Sequence, residues 1–314
     1  MFAAFAAAFL AAAVALHPVL EPDLFWHLAS GRWIVEHRAV ERTDVLTYTR
    51  AGREWVNLQW LFDVLVFGVW RRVGPEGLVL AKAAALAGVA ALLVAAARAA
   101  GASAGVACLA ASLAVLASAE RTTERPEVVT YLGLAVVLLA IERARRGKGR
   151  RSLAALPPLV ALWVNLHALA FLAPATLLGH AGLAALDARF RPATRAPTSP
   201  PGLPRALALA GLASTIALLA NPYGFRAWTF PWTLLQRIGA GPSIFARILE
   251  FAPPTADPAD PALRFFWILL AATGASFAAR GERPPLARLF GVLPFLALAG
   301  LARRNIPLFA LAVA

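Results

Sequence analysis

The stretch Glu21-Pro22-Asp23-Leu24-Phe25-Trp26-His27 brings together two carboxylates and a histidine, the groups that take and return protons near neutral pH. With Pro22 opening a helix, Asp23 and His27 stand four apart and share one helical face. Phe25, Trp26, Trp33 and Ile34 give the same segment an apolar side suited to a membrane interface. An interfacial helix with solvated charges is therefore the competing reading. A second group, Glu120-Arg121-Thr122-Thr123-Glu124-Arg125-Pro126-Glu127, sets three carboxylates and two arginines in eight positions. Hard carboxylate oxygens suit Mg²⁺ or Mn²⁺, and the guanidinium fork suits a phosphate. A turn that neutralises itself by salt bridges would use the same residues.

Three further stretches carry polar groups at the ends of apolar runs. Trp163-Val164-Asn165-Leu166-His167 ends one run, and polar residues at a membrane boundary have functional weight, although Asn165 could simply cap a hairpin. Asn221-Pro222-Tyr223-Gly224 is a strong turn signal and a weak functional one. Arg303-Arg304 sits beside the last apolar run and invites an anionic partner such as a lipid phosphate.

The elements that must hold these groups are apolar helices. Of 314 residues, 60% are hydrophobic and only 15% charged, against about 25% charged in an ordinary soluble domain. That balance cannot coat a water-facing globule, and it excludes disorder and a compact cytosolic enzyme. The lone Cys108 lies in an apolar run, which removes an internal disulfide and a cysteine zinc site. Apolar runs fall near 1–19, 57–70, 78–97, 104–119, 128–141, 153–167, 169–186, 206–221, 265–279 and 286–302, with a stub from Ile306. The first run lacks a basic leader and reads as a retained helix.

Basic clusters orient the chain. Loops 142–151 and 187–205, with Arg280, Arg283 and Arg288, are cytoplasmic by the positive-inside rule, and two spans separate each pair. Counting back from them leaves 20–77 wholly outside, so 57–70 lies in the interface rather than crossing. The alternative is that it crosses and 104–119 is re-entrant. On the first assignment the cytoplasmic loops hold 14 Lys/Arg against 3 Asp/Glu, and the outer pieces 15 against 14, with Lys82 inside a span. The net charge of +13 is then mostly a topology signal, and no nucleic-acid partner is expected. The expected fold is an all-α polytopic membrane protein, one transmembrane domain over 1–314. It has about nine spans, a large outer loop at 20–77, spans over 78–221, a second outer loop at 222–264 and C-terminal spans over 265–314.

The order of features resembles the GT-C superfamily of polyprenyl-phosphate-dependent glycosyltransferases. In that superfamily an essential acid follows the first span, where Asp23 stands, and a second acidic motif follows the third, where Glu120–Glu127 stands. The tract Trp26–Ile34, with Arg125-Pro126-Glu127, Trp163–His167 and Asn221–Gly224, looks like a bacterial branch of it. The resemblance implies a GT-C-like bundle with outer juxtamembrane helices in the bacterial inner membrane, its active face extracytoplasmic. It implies an inverting transfer of a sugar from a polyprenyl-phosphate carrier to a glycan, lipid or protein acceptor. Asp23 would be the base, supported by Glu21 or His27. Arg121, Arg125, Arg303 and Arg304 would grip the donor phosphate, and Asn165, His167, Asn221 and Tyr223 would line the substrate pocket. Asp23, Glu124 and Glu127 would hold Mg²⁺ or Mn²⁺. Glu21-Pro22-Asp23 departs from the family's paired aspartates, as Glu124 and Glu127 do from its second motif. Such proteins usually continue beyond this length, so the sequence is expected to be a piece of a longer chain or a minimal version. The competing class is a non-catalytic polytopic protein, a transporter or an envelope-polysaccharide assembly partner.

Overall fold

A computed structural model describes residues 1–190, 200–239, 248–279 and 286–314. Arg191, Arg195, Arg280 and Arg283 of the basic loops lie outside them. Among the described residues the regular structure is all helical, with a single isolated β-bridge between Thr43 and Glu54. The first half holds α1 (Phe2–Ala15), α2 (Asp23–His37), α3 (Trp60–Val73), α4 (Pro75–Ala100), α5 (Ala104–Ala117) and α6 (Glu127–Arg145). The second holds α7 (Arg150–Ala154), α8 (Leu156–Trp163), α9 (Leu172–Phe190), α10 (Leu203–Ala217), α11 (Phe225–Gly239), α12 (Arg264–Ala278), α13 (Leu286–Leu301) and α14 (Ile306–Val313).

Four helical stretches are long and apolar enough to cross a membrane: Pro75–Ala100, Ala168–Phe190, Leu203–Ala220 and Pro261–Ala278. The expected count was about nine. α1 and α5 have 14 residues each, about 21 Å of helix against a hydrocarbon core of about 30 Å. α6 has 19 residues but carries Glu127, Glu142, Arg143 and Arg145. Large apolar side chains stand exposed along α1 (Phe2, Phe5, Phe9) and α10 (Leu209, Leu212, Ile216), surfaces that suit lipid better than water.

Local chemistry sets the helix ends. Pro75 occupies the first turn of α4, where its missing N–H costs nothing, and Gly101 closes that helix in the left-handed region at φ +99°. The Ser103 hydroxyl caps α5 by accepting from the Val106 N–H at 3.3 Å. The core joining α1, α4, α5 and α6 is rich in alanine, with Ala7, Ala11, Ala90, Ala107, Ala111 and Ala135 buried, and small side chains let membrane helices approach closely. Outside that core α2 packs along α3 around Leu24, Val66 and Leu78. Their approach requires Gly31, because a Cβ there would overlap the Asp63 backbone and come within 2.9 Å of the Phe67 Cβ.

Candidate functional site

Three arginines from two distant parts of the chain meet around Glu250. Arg121, in the short 3₁₀ turn after α5, binds Glu250 and reaches Glu127 Oε1 at 2.7 Å. Arg125 binds both oxygens of Glu21, reaches Glu250 Oε2 at 3.0 Å, and stands 3.2 Å from Asp23 Oδ2. Arg304 reaches Glu127 at 3.0 Å and Glu250 at 3.4 Å while lying 4.7 Å over the Phe251 ring. Thr123 adds a hydroxyl to Glu21 at 3.1 Å. Pro126 and Glu127 start α6, so the turn holding Arg121 and Arg125 is pinned between two helices.

Electrostatics follow from this pairing. Burial opposes the charge on Glu21, but two bonds from Arg125 outweigh it and hold the carboxyl below its ordinary range. Burial likewise works against the Arg125 guanidinium, while Glu21 and Glu250 raise its affinity for the proton. Asp23 differs from its neighbours, since its side chain is 64% exposed and, among the described residues, one guanidinium is its only ion pair.

The expected metal set does not assemble. Asp23 faces Arg125, Glu127 faces Arg121 and Arg304, and Glu124 pairs with Lys82 at 2.6 Å beside His17. Each carboxylate is thus engaged by a different cation. Among the described residues no three His, Cys, Asp or Glu could hold a metal ion. The residues present do not fit Mg²⁺ or Mn²⁺.

The other expected residues separate into bracing groups and members of the site. Arg303 is buried against Asp260, and its N–H donates to Ala252, so it fastens the preceding loop while Arg304 alone joins the cluster. Asn165 accepts from Trp60 Nε1 at 2.7 Å and donates to Ala161. Asn221 donates to Leu58 and Val164, and its side-chain oxygen accepts from the Tyr223 N–H. Tyr223 donates its hydroxyl to the Glu41 carbonyl under Arg42. These three tie the start of α3 to the ends of α8 and α10. His167 bonds Thr130 at 2.6 Å, with both Glu127 and His27 within electrostatic reach.

His27 does not support Asp23. Although the two are four apart on α2, Asp23 opens to solvent and Arg125, while His27 turns inward and its Nδ1 meets Asp63 Oδ1 at 2.7 Å. Behind it lies a network that the sequence did not single out. Asn57 Nδ2 reaches Asp63 Oδ2 at 2.7 Å, Glu41 Oε1 at 2.8 Å and Ser30 Oγ at 3.0 Å, and Ser30 donates to Glu41. The signal available was a helical glycine at Gly31 with Asp63 on the same face as Val66. The hairpin that delivers Asn57 is closed by Asp44, whose carboxylate accepts from the backbone of Leu46 and Thr47 and from the Thr47 hydroxyl. A cavity of about 120 Å³ adjoins this network, lined among others by Trp26, His27, Trp55, Asn57, Asp63 and Phe230.

Compared with known proteins, the chain matches no family model, no curated protein and no solved structure.

Proposed function

We propose that the protein is a GT-C-like membrane glycosyltransferase, moving a sugar from a polyprenyl-phosphate carrier to an extracytoplasmic acceptor with inversion at the anomeric carbon. One observation carries the reading: the exposed Asp23 carboxylate stands beside the point where Arg121, Arg125 and Arg304 converge. Asp23 takes the proton of the acceptor as its oxygen attacks the anomeric carbon. The bond from that carbon to the carrier phosphate breaks, and its electron pair leaves on the phosphate oxygen. Guanidinium groups released from Glu250 and Glu127 receive the developing charge, since arginine matches the oxygens of a phosphate with paired donors. A single base and a stabilised leaving group suffice for inversion, so no covalent nucleophile is required. The remaining spans, the inner-membrane location and the outward-facing site belong to the same proposal.

The test is transfer in proteoliposomes, with radiolabelled polyprenyl-phosphate sugars as donors. Asp23→Ala should lose transfer by about 100-fold or more, the scale of a general base, without loss of fold because the side chain is exposed. Wild-type rates in that variant would remove Asp23 from catalysis.

A second reading, a non-catalytic assembly partner, is favoured by one fact: Glu21, Glu127 and Glu250 already occupy the guanidinium groups. A donor that binds the folded state raises its melting temperature. Absence of any shift with polyprenyl-phosphate sugars would favour the second reading.

A further inference from the structure

The cavity beside His27 carries an inference independent of the transferase reading. Glu41 and Asp63 are both 2% exposed, and among the described residues neither forms an ion pair with a lysine or an arginine. Among the described residues His27 is the one basic side chain paired with either, through Asp63. Removing two carboxylates from water without cations is costly, and proteins otherwise pair such groups.

The network is also short of donors. Asn57 has two N–H hydrogens for three acceptors, on Ser30, Glu41 and Asp63, and Glu41 Oε2 is buried with no hydrogen-bond partner. His27 Nδ1 is committed to Asp63, so Nε2 carries the free lone pair when that carboxylate accepts from Nδ1–H. Nε2 makes no hydrogen bond among the described residues, although His27 is only 6% exposed and lines the cavity. Of these groups Asp63 and His27 line the cavity, and both can accept from a donor that also brings positive charge.

The walls fit such a donor. Trp26 and Trp55 lie with ring centroids 5.4 Å apart and a 48° tilt, and both line the cavity. Indole faces attract a cation within about 6 Å of the ring. A volume of about 120 Å³ is small, although a single water needs only about 10–15 Å³ of such space. It admits an aminomethyl or aminoethyl group.

We propose that this chamber binds a primary ammonium group on a short carbon stem. The ammonium donates to Asp63 and to His27 Nε2 beside the paired indoles of Trp26 and Trp55, while the rest of the ligand stays outside. An amino sugar and an ethanolamine headgroup carry the same chemistry.

The probe is 2-aminoethanol at pH 7, added to the detergent-solubilised full chain and compared with ethylene glycol, which has the same size and no charge. Saturable thermal stabilisation is expected with the amine and none with the diol, and Asp63→Asn should weaken the amine at least ten-fold. Should that variant fail to fold, wild-type protein labelled with 5-fluorotryptophan gives the answer. The ¹⁹F resonances of Trp26 and Trp55, assigned by single Phe replacements, should shift with the amine alone. Equal responses to amine and diol, no saturable response, or wild-type affinity in Asp63→Asn would each overturn the proposal. 6-Amino-6-deoxyglucose and phosphoethanolamine then separate the sources: competition by the first assigns an amino sugar and by the second a lipid headgroup. Transfer activity is not read in this experiment, so its outcome stands apart from that of the transferase test.

Discussion

Around Glu250 every carboxylate meets at least one guanidinium, whereas around Asn57 two carboxylates share one amide, one hydroxyl and one imidazole. The first region is redundant, since Arg121 and Arg304 each bind both Glu127 and Glu250. The second is a single chain of contacts with no spare donor. Redundancy leaves a guanidinium free to release one partner and take another anion, which an anion-binding site needs. A donor-poor chain instead fixes its members and leaves a defined place for an incoming cation.

The comparison is broken most directly by His27→Ala. That change strips Asp63 of its imidazole N–H, and a buried charged acceptor left short of a hydrogen bond costs about 3 kcal/mol or more. Chemical unfolding in detergent should show it; a loss below about 1 kcal/mol would mean the imidazole is not what balances the carboxylate. Gly31→Ala should come next, at about 1–3 kcal/mol, because the added methyl meets the Asp63 backbone and forces α2 from α3. In the arginine region the expected cost is smaller. Arg304→Ala should lose about 1 kcal/mol or less, since Arg121 keeps both acids paired; a loss as large as that of His27→Ala would show that the region is not redundant.

The smallest effect is a pH dependence. Glu21 titrates below its ordinary value of 4.5 in the folded chain, so its contribution to stability is complete above that value. It drains away as the pH falls through the lower folded value. Glu21→Gln should flatten this acid-side slope in melting temperature measured from pH 6 to pH 3. An unchanged slope would place the acid sensitivity elsewhere.

Much of the arginine region was legible in the sequence. Glu21, Asp23, Arg121, Arg125, Glu127 and Arg304 sit at ends of apolar runs, where polar groups have few other reasons to gather. Arg303 could not be told from Arg304, because adjacent residues differ only in where the 3₁₀ turn points them. The network around Asn57 was hidden for another reason. Ser30, Glu41, Asn57 and Asp63 meet only once α2 packs on α3, and in a linear reading Asp63 was a polar residue of an interfacial helix. The four-residue spacing of Asp23 and His27 was visible, but their divergence was not, since it depends on which neighbour each side of α2 meets. The membrane class followed from composition, while the number of crossings depended on helix lengths that breaks at Gly101 and between Ala154 and Leu156 shorten.

The arginine cluster also has an order of synthesis. Glu21, Asp23, Arg121, Arg125 and Glu127 leave the ribosome well over a hundred residues before Glu250 and Arg304. The early members already contain acids for both guanidinium groups, and the late pair adds one acid and one base that can pair with each other. Neither half therefore needs the other to pair its buried charges. The early piece carries one surplus negative charge, with Asp23 the exposed acid, and the late pair is neutral, so the final contacts form between pieces whose buried charges are already paired.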